Sequence, residues 1–430
     1  MKLRNLLISL FIIILLAAAG WAYWYFLMGP TKIPAKPGDT GTPGGFQPIN
    51  RPGGNTGGTG GTGNTGTTTG NIPTGIQQVK IPSLRLLSGT PVGGYSASTT
   101  ASTTNIRWVD RGRGNVYQAS SNSLTITTLS NTVVPKIFAS VWNKNLTSFI
   151  ASIFENTELV PITVYSELIP RTNKTAAATT TPSTSSAPFD LRGKSITGNV
   201  IGYAASPDRS QLFTMMNENG NGVGYVSSFS ATSPTRLFTT PLTEVNVSWP
   251  SDNIIAITTK GSTNHSGFLY FVNPKTGVWT KVLGPLPGLS TRVNQTGKYI
   301  IYSATGKNND VMTGIYSMAA GTTTEAVIRT LADKCTWGKF YKELVYCGVP
   351  SQSVSGRYPD DWYLGTLSTI DKIWQVNAIT GEARLVSSLI DQSDRILNVF
   401  NLETDPKDMY LFFMNKNDLS LWSLDLVKSN

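Results

Sequence analysis

Seven times between residues 116 and 422 the chain places Tyr or Trp after an apolar residue or glycine, in a β-type context. The pairs are Val116-Tyr117, Val164-Tyr165, Gly224-Tyr225, Leu269-Tyr270, Ile315-Tyr316, Ile373-Trp374 and Leu421-Trp422. Successive aromatics are 48, 60, 45, 46, 58 and 48 residues apart. A unit of that length cannot bury its own apolar face, so it must stack on copies of itself. A second motif precedes most copies: SPDRSQLFTMM from Ser206, WPSDNIIAITT from Trp249 and NQTGKYIIYSA from Asn294. Weaker forms are NKNLTSFIASI from Asn143, WGKFYKELVYCGV from Trp337 and DPKDMYLFFMN from Asp405. Each is a polar turn followed by a β-rich apolar run. Several copies of the aromatic motif continue through a Thr-Gly turn into a further strand, as in LYFVNPKTGVWTKVL. Turn, strand and hairpin every ~45 residues make about four strands per repeat, the pattern of propeller blades. No helical periodicity competes. The fold class is therefore all-β: a seven-bladed β-propeller over residues 80–430.

Three departures from the period have visible causes. The 60-residue interval holds RTNKTAAATTTPSTSSAP from Arg171, which reads as a mobile loop, and the 58-residue interval holds SVSGRYPDDWYLGTLSTI from Ser353. SASTTASTTN from Ser96 reads as a smaller insertion in blade 1. Ring closure is expected to join residues 81–87 to the last blade, because the chain stops soon after Leu426. Cys335 and Cys347 bracket CTWGKFYKELVYC; a turn near Lys339–Lys342 sets them opposite each other on paired strands. A disulfide is expected there, worth about 3 kcal/mol for so short a loop.

Ahead of the repeats lie two segments of different character. Leu6 to Met28 runs 23 residues without a charge, behind Lys2 and Arg4. A helix of that length spans about 34 Å, enough for a hydrocarbon core of about 30 Å. Trp21, Tyr23, Trp24 and Tyr25 crowd its distal end, as aromatic side chains do at a membrane interface. A cleaved signal peptide ending near Ala17-Ala18-Ala19 is the rival reading, but the apolar run continues nine residues past Ala19. Residues 1–30 are read as a single-pass anchor, N-terminus inside, with everything after it periplasmic or extracellular. Residues 31–79 are Gly/Thr/Pro-rich and unable to bury enough apolar surface to order themselves, so they read as a disordered linker. Gly58, Gly60 and Gly63 spell G-x-G-x-x-G within it, with no strand before and no helix after; the match is compositional.

The inventory of reactive side chains is small. With one histidine, His265, and two cysteines, the chain lacks the ligands for a His₃ or Cys₄ zinc site, and neither a metal nor a cofactor is expected. His265, in the polar loop KGSTNHSGF, reads as solvated rather than catalytic. The formal charge is +10 without any basic run among the repeats, so no nucleic-acid footprint is expected, though anionic polymers of an envelope would be favoured. The most suggestive cluster is Asp360, Asp361, Trp362 and Tyr363 in the long blade-6 excursion, a candidate binding surface. Paired acids can do acid–base work or hold Ca²⁺ with backbone carbonyls. Neighbours on a strand point to opposite faces, however, so they make a poor dyad. The Tyr/Trp ladder is read as packing between blades rather than as a sugar-stacking platform.

The turns SPDRSQLF and NQTGKYIIY resemble the repeats of TolB-like β-propellers across residues 80–430. Longer segments resemble a family of membrane-anchored propellers from ultra-small candidate-phylum bacteria: PVGGYSAS, NIRWVDRGRGNVYQ, KCTWGKFYKELVYCGVP and YPDDWYLGTLSTIDKIWQVN. The cysteine pair and PDDWY are its most specific marks. The resemblance implies architecture and location and transfers no catalytic residue. The expected function is a membrane-tethered, extracytoplasmic binding or scaffolding module with an envelope protein or cell-wall glycan as partner. Two alternatives stand beside it: a glycan hydrolase or lyase with carboxylates on the propeller axis, Asp360 and Asp361 among them, and an accessory subunit of a secretion or pilus machine that docks through its transmembrane helix.

Overall fold

The second strand of each repeat explains why the units assemble. SFIASI (Ser148–Ile153) is buried at every residue, and YIIYSAT (Tyr299–Thr305) and YLFFMN (Tyr410–Asn415) at all but the first. A strand apolar on both faces needs a neighbour on each side, which a closed ring of sheets supplies. The outermost strands invert this pattern, TTTE (Thr322–Glu325) being exposed throughout.

The computed structural model describes residues 81–154, 161–171, 187–354 and 356–428. All belong to the second of the two units into which the chain divides, Gln77–Asn430. The anchor, the linker and the body of the Thr/Ser-rich insertion lie outside the described residues. Among the described residues no helix is long and apolar enough to cross a membrane.

The strands form five four-stranded sheets and one eight-stranded sheet, antiparallel apart from one parallel bridge. The eight-stranded sheet is itself two four-stranded meanders joined only where Ser130 meets Phe189. Seven meanders result, called blades 1 to 7 in chain order. Their first strands are Val92–Thr99, Ile137–Trp142, Val200–Ala205, Val245–Ser251, Ser290–Val293, Cys335–Trp337 and Val399–Thr404. The first strands of neighbouring blades touch one another from blade 1 to blade 4 and from blade 5 round through blade 7 to blade 1. Between blades 4 and 5 the first strand of blade 5 touches the second strand of blade 4, Ile254–Thr259, so the blades close into a ring. The merged sheet departs from the expectation of seven separate blades. Strand twist turns the outer edges sideways, so the end of one outer strand meets the start of the next.

Closure follows the expected route. Leu84–Ser88 pairs antiparallel with Leu421–Asp425 and becomes the outer strand of blade 7. All seven aromatics of the repeat fall on third strands. Trp422 is buried and the other six half-buried, while the residue before each of them is buried. Tyr117 stacks on Trp108 at 5.7 Å and Tyr270 meets Trp279 edge-on at 5.4 Å, so part of the ladder packs within its own blade. SASTTASTTN is no insertion: its β-branched residues finish one strand at Thr99 and begin the next at Thr104, leaving a four-residue turn. Cys335 and Cys347 lie directly opposite each other on the first two strands of blade 6 and are disulfide-bonded.

Candidate functional site: the axial mouth

In a four-stranded meander the turns after the first and third strands share one end of the blade. The polar motifs of the sequence are the turns after the first strands, and four are built alike. Their leading residue accepts hydrogen bonds from backbone N–H groups four or five positions on. Asn143 Oδ1 takes Thr147 N at 2.9 Å and Ser148 N at 3.2 Å; Asn294 Oδ1 takes Lys298 N at 3.0 Å and Tyr299 N at 3.2 Å. Asp405 Oδ1 takes Met409 N at 2.6 Å and Tyr410 N at 2.8 Å, and Ser206 Oγ takes Gln211 N at 2.9 Å. The fourth turn residue is left-handed in each: Leu146, Arg209, Gly297 and Asp408, with φ of 55°, 57°, 70° and 54°. Glycine meets that requirement without strain, whereas Arg209 meets it at a cost of about 1 kcal/mol.

These turns ring a cavity of about 700 Å³ to which every blade contributes. Its charged lining is three cations, Lys144, Arg209 and Lys339, and one carboxylate, Asp208. Asp208 is occupied locally: the hydroxyls of Ser206 (2.6 Å) and Ser210 (2.7 Å) bind it and hold it below the usual carboxylate range.

Glu403, from the first strand of blade 7, meets two of these cations. It accepts hydrogen bonds from Lys339 Nζ at 2.6 Å, Arg209 Nη2 at 2.8 Å and Ser96 Oγ at 2.9 Å. Arg209 Nη1 also donates to Ser96 Oγ. One carboxylate thus ties blade 7 to blades 1, 3 and 6. Burial pushes Glu403 upward, but Lys339 and Arg209 outweigh it and bring the carboxyl down to about 2. Burial pushes Lys339 below its ordinary value, against the pull of Glu403. Two cations against one anion leave the cluster positive.

Asp360–Tyr363 lies at the opposite end of the blades, where second strands turn into third. The four residues form one helical turn rather than a strand, and each is engaged within the chain. Asp360 Oδ2 accepts from Thr263 N at 2.7 Å and from the Thr263 hydroxyl, in blade 4. Asp361 binds Arg357, side chain at 2.9 Å and backbone N–H at 3.0 Å. Trp362 is buried, donates from Nε1 to Asn398 Oδ1 at 2.9 Å, and has the ammonium groups of Lys334 and Lys416 5.5 and 5.0 Å from its ring centre. Tyr363 donates to Asp333. The two carboxylates serve different partners and form no dyad. Beneath them Lys334, fully buried, bonds Asp371 (2.7 Å), Thr369 (2.6 Å) and Asn398 (3.2 Å); burial pushes this lysine down against the pull of Asp371. The excursion is a strap across blades 4 to 7. His265 is exposed in the turn that carries Thr263, 3.4 Å from Ser262 Oγ.

No family model and no curated protein matches the chain. Solved structures similar to it include TolB from Acinetobacter baumannii, at 12% identity over 73% of this chain and 60% of that one, with a TM-score of 0.39. The chain therefore spans less than two thirds of that protein. Oligogalacturonate lyase from Vibrio parahaemolyticus is similar at 10% identity over 78% of this chain and 97% of that one, TM-score 0.46. Hydrazine synthase of Kuenenia stuttgartiensis is similar at 10% identity over 68% and 77%, TM-score 0.47. At these identities and TM-scores the likeness brings neither role nor fold to this chain, whose architecture is shown by its own strand order.

Proposed function

We propose that the seven-bladed ring is a binding module of the cell envelope, held outside the cytoplasmic membrane by an anchor at residues 6–28 and the linker of residues 31–79. On this reading it takes an acidic protein or glycan partner at the axial mouth. Membership of the membrane-anchored propeller family of candidate-phylum bacteria belongs to the same proposal. The observation that carries it is the mouth itself: all seven blades line it, and its three cations, Lys144, Arg209 and Lys339, outnumber the two carboxylates Asp208 and Glu403, both of which are already bonded within the chain. A positive concave site draws anionic ligands by focused, salt-screened attraction.

Neither carboxylate of the mouth, Glu403 or Asp208, is placed to act as the general acid of glycoside cleavage. A general acid needs its pKa raised toward the working pH, and Glu403 is driven the other way. Lys144 is the informative residue, because it lines the mouth, is exposed, and stands outside the Glu403 cluster. Purified full-length protein is expected to be retained on immobilised acidic envelope polymer at low salt and released as salt rises. Lys144→Glu is expected to weaken retention about tenfold with the fold unchanged. Retention indifferent to both salt and Lys144→Glu overturns the reading. The location has its own check: protease added to intact cells removes the module if it lies outside the membrane and spares it if it does not.

A further inference from the structure

The outer strands differ in one respect that neither the ring nor the mouth explains. Six of them carry at least one charged residue: FDLRGKSI in blade 2, TRLFTT in blade 3, WTKVLGPLP in blade 4, TTTE in blade 5, ARLVSS in blade 6 and LRLLS in blade 7. Charge, proline and shortness are what keep an open sheet edge from pairing with another chain. The outer strand of blade 1, SLTITTLS (Ser123–Ser130), has no charge, no proline and no glycine, and it is eight residues long. Its residues 124–128 are exposed in succession, with Leu124 45% and Ile126 44% accessible.

The two ends of this strand are fixed. Arg85 donates to the carbonyls of Ser123 at 2.8 Å and Leu124 at 3.0 Å, and Ser130 bridges to Phe189 of blade 2. Between them the strand pairs inward with Val116–Ser120 of its own blade. Its other edge, over Thr125–Leu129, pairs with no strand among the described residues.

We infer that this edge pairs with the same edge of a second copy, antiparallel about Thr127. In that register Thr127 faces Thr127, Ile126 faces Thr128 and Thr125 faces Leu129. Threonine and isoleucine are favourable cross-strand partners, and an uncharged strand meets no like charge when it faces itself. A two-fold axis satisfies the backbone groups of both copies at once. Each strand is already the edge of a fixed sheet, so little chain entropy is lost on pairing. One pair of five-residue edges buries less than the ~1,200 Å² of a stable interface, so the association is weak and concentration-dependent.

Thr127→Cys tests this directly, because both native cysteines are in the disulfide and the new thiol is alone. Directly opposed antiparallel residues lie about 4.5–5.5 Å apart at Cα, within disulfide reach. Full-length Thr127→Cys is expected to form a 127–127 linked dimer under mild oxidation, at least tenfold faster than Thr324→Cys on the charged outer strand of blade 5. Adding Ile126→Lys is expected to suppress that linkage at least tenfold while leaving the thermal midpoint in place. Equal linkage rates for the two cysteine variants overturn the proposal. So does a Thr127→Cys thiol that neither links nor reacts with a small thiol reagent, since another segment or protein then covers the edge. None of these outcomes depends on the axial mouth.

Discussion

Glu403 shows how one side chain can hold a ring together and fix its charge. Its carboxyl is at about 2 in the folded protein and near 4.5 when free of its partners. A depressed folded value means that the stabilisation is present in full above the unfolded value and is lost as pH falls from about 4.5 through about 2. The gap corresponds to about 3 kcal/mol. Urea unfolding of the wild type is expected to lose most of that amount, about 2.5 kcal/mol, between pH 6 and pH 2.5 in excess of Glu403→Gln, which is less stable at neutral pH and flatter in acid. Parallel pH profiles for the two proteins would show that Glu403 carries no such linkage. The sequence contains this cluster without displaying it, since Arg209 lies 194 residues from Glu403 and Lys339 lies 64 away. Only ring closure brings them together. A partial signal was present in the turn motifs: SPDR puts arginine where NQTG puts glycine, at a position that needs positive φ. A costly residue in a permissive slot marks a side chain needed for something other than the turn.

At the scale of elements, legibility followed burial. Second strands sandwiched between blades must be apolar on both faces, so they appear as runs such as FIASI and YLFFM. Cys335–Trp337, three residues long, carries too little pattern to be found alone and was placed by its disulfide. The PDDWY segment is less legible. Its acids and aromatics are the composition of a binding surface, and the structure uses them as fasteners in a strap. Nothing local distinguishes the two uses, because Thr263, Asn398 and Asp333 come from distant parts of the chain. Trp362 is the central fastener, packed with Val311, Leu331 and Tyr358. Replacing it with alanine removes a buried aromatic worth about 3–5 kcal/mol. Tyr358, Val354 and Leu367 of the same segment pack in the cluster that Trp362 centres, so its loss loosens the strap as a unit and local opening is expected before global unfolding. Limited proteolysis of Trp362→Ala should nick the chain within residues 351–370 at least tenfold faster than wild type, with the remaining blades intact. An unchanged nicking rate would mean that the polar ties suffice to hold the strap.

The whole molecule depends on a strand that comes from the far end of the domain's own sequence. Leu84–Ser88 completes blade 7, and its residues serve two cores: Leu84 and Leu86 pack with Phe413 and Leu424, while Leu87 packs with Trp108 and Phe412. Arg85 reaches further and binds carbonyls of Ser120, Ser123 and Leu124 in blade 1. Three buried or half-buried leucines at about 1.5–3 kcal/mol each amount to about 4.5–9 kcal/mol. That is comparable with the entire net stability of a typical domain, about 5–15 kcal/mol. The closure is legible because the last repeat supplies three strands of its own while one apolar strand, Leu84–Ser88, stands ahead of the first complete repeat. The consequence is a sharp boundary for truncation. A chain beginning at residue 80 is expected to unfold in one cooperative transition, and a chain beginning at residue 89 to show none. Without the strand, Leu421–Asp425 is left as an open apolar edge in a ring that no longer closes. A peptide of residues 80–90 added to the shorter chain should restore the transition in proportion to its concentration, because the missing strand needs only to pair, not to be covalently attached. If the shorter chain melts cooperatively at the same temperature without the peptide, the ring is held by its inner clasp at Glu403 rather than by the closing strand.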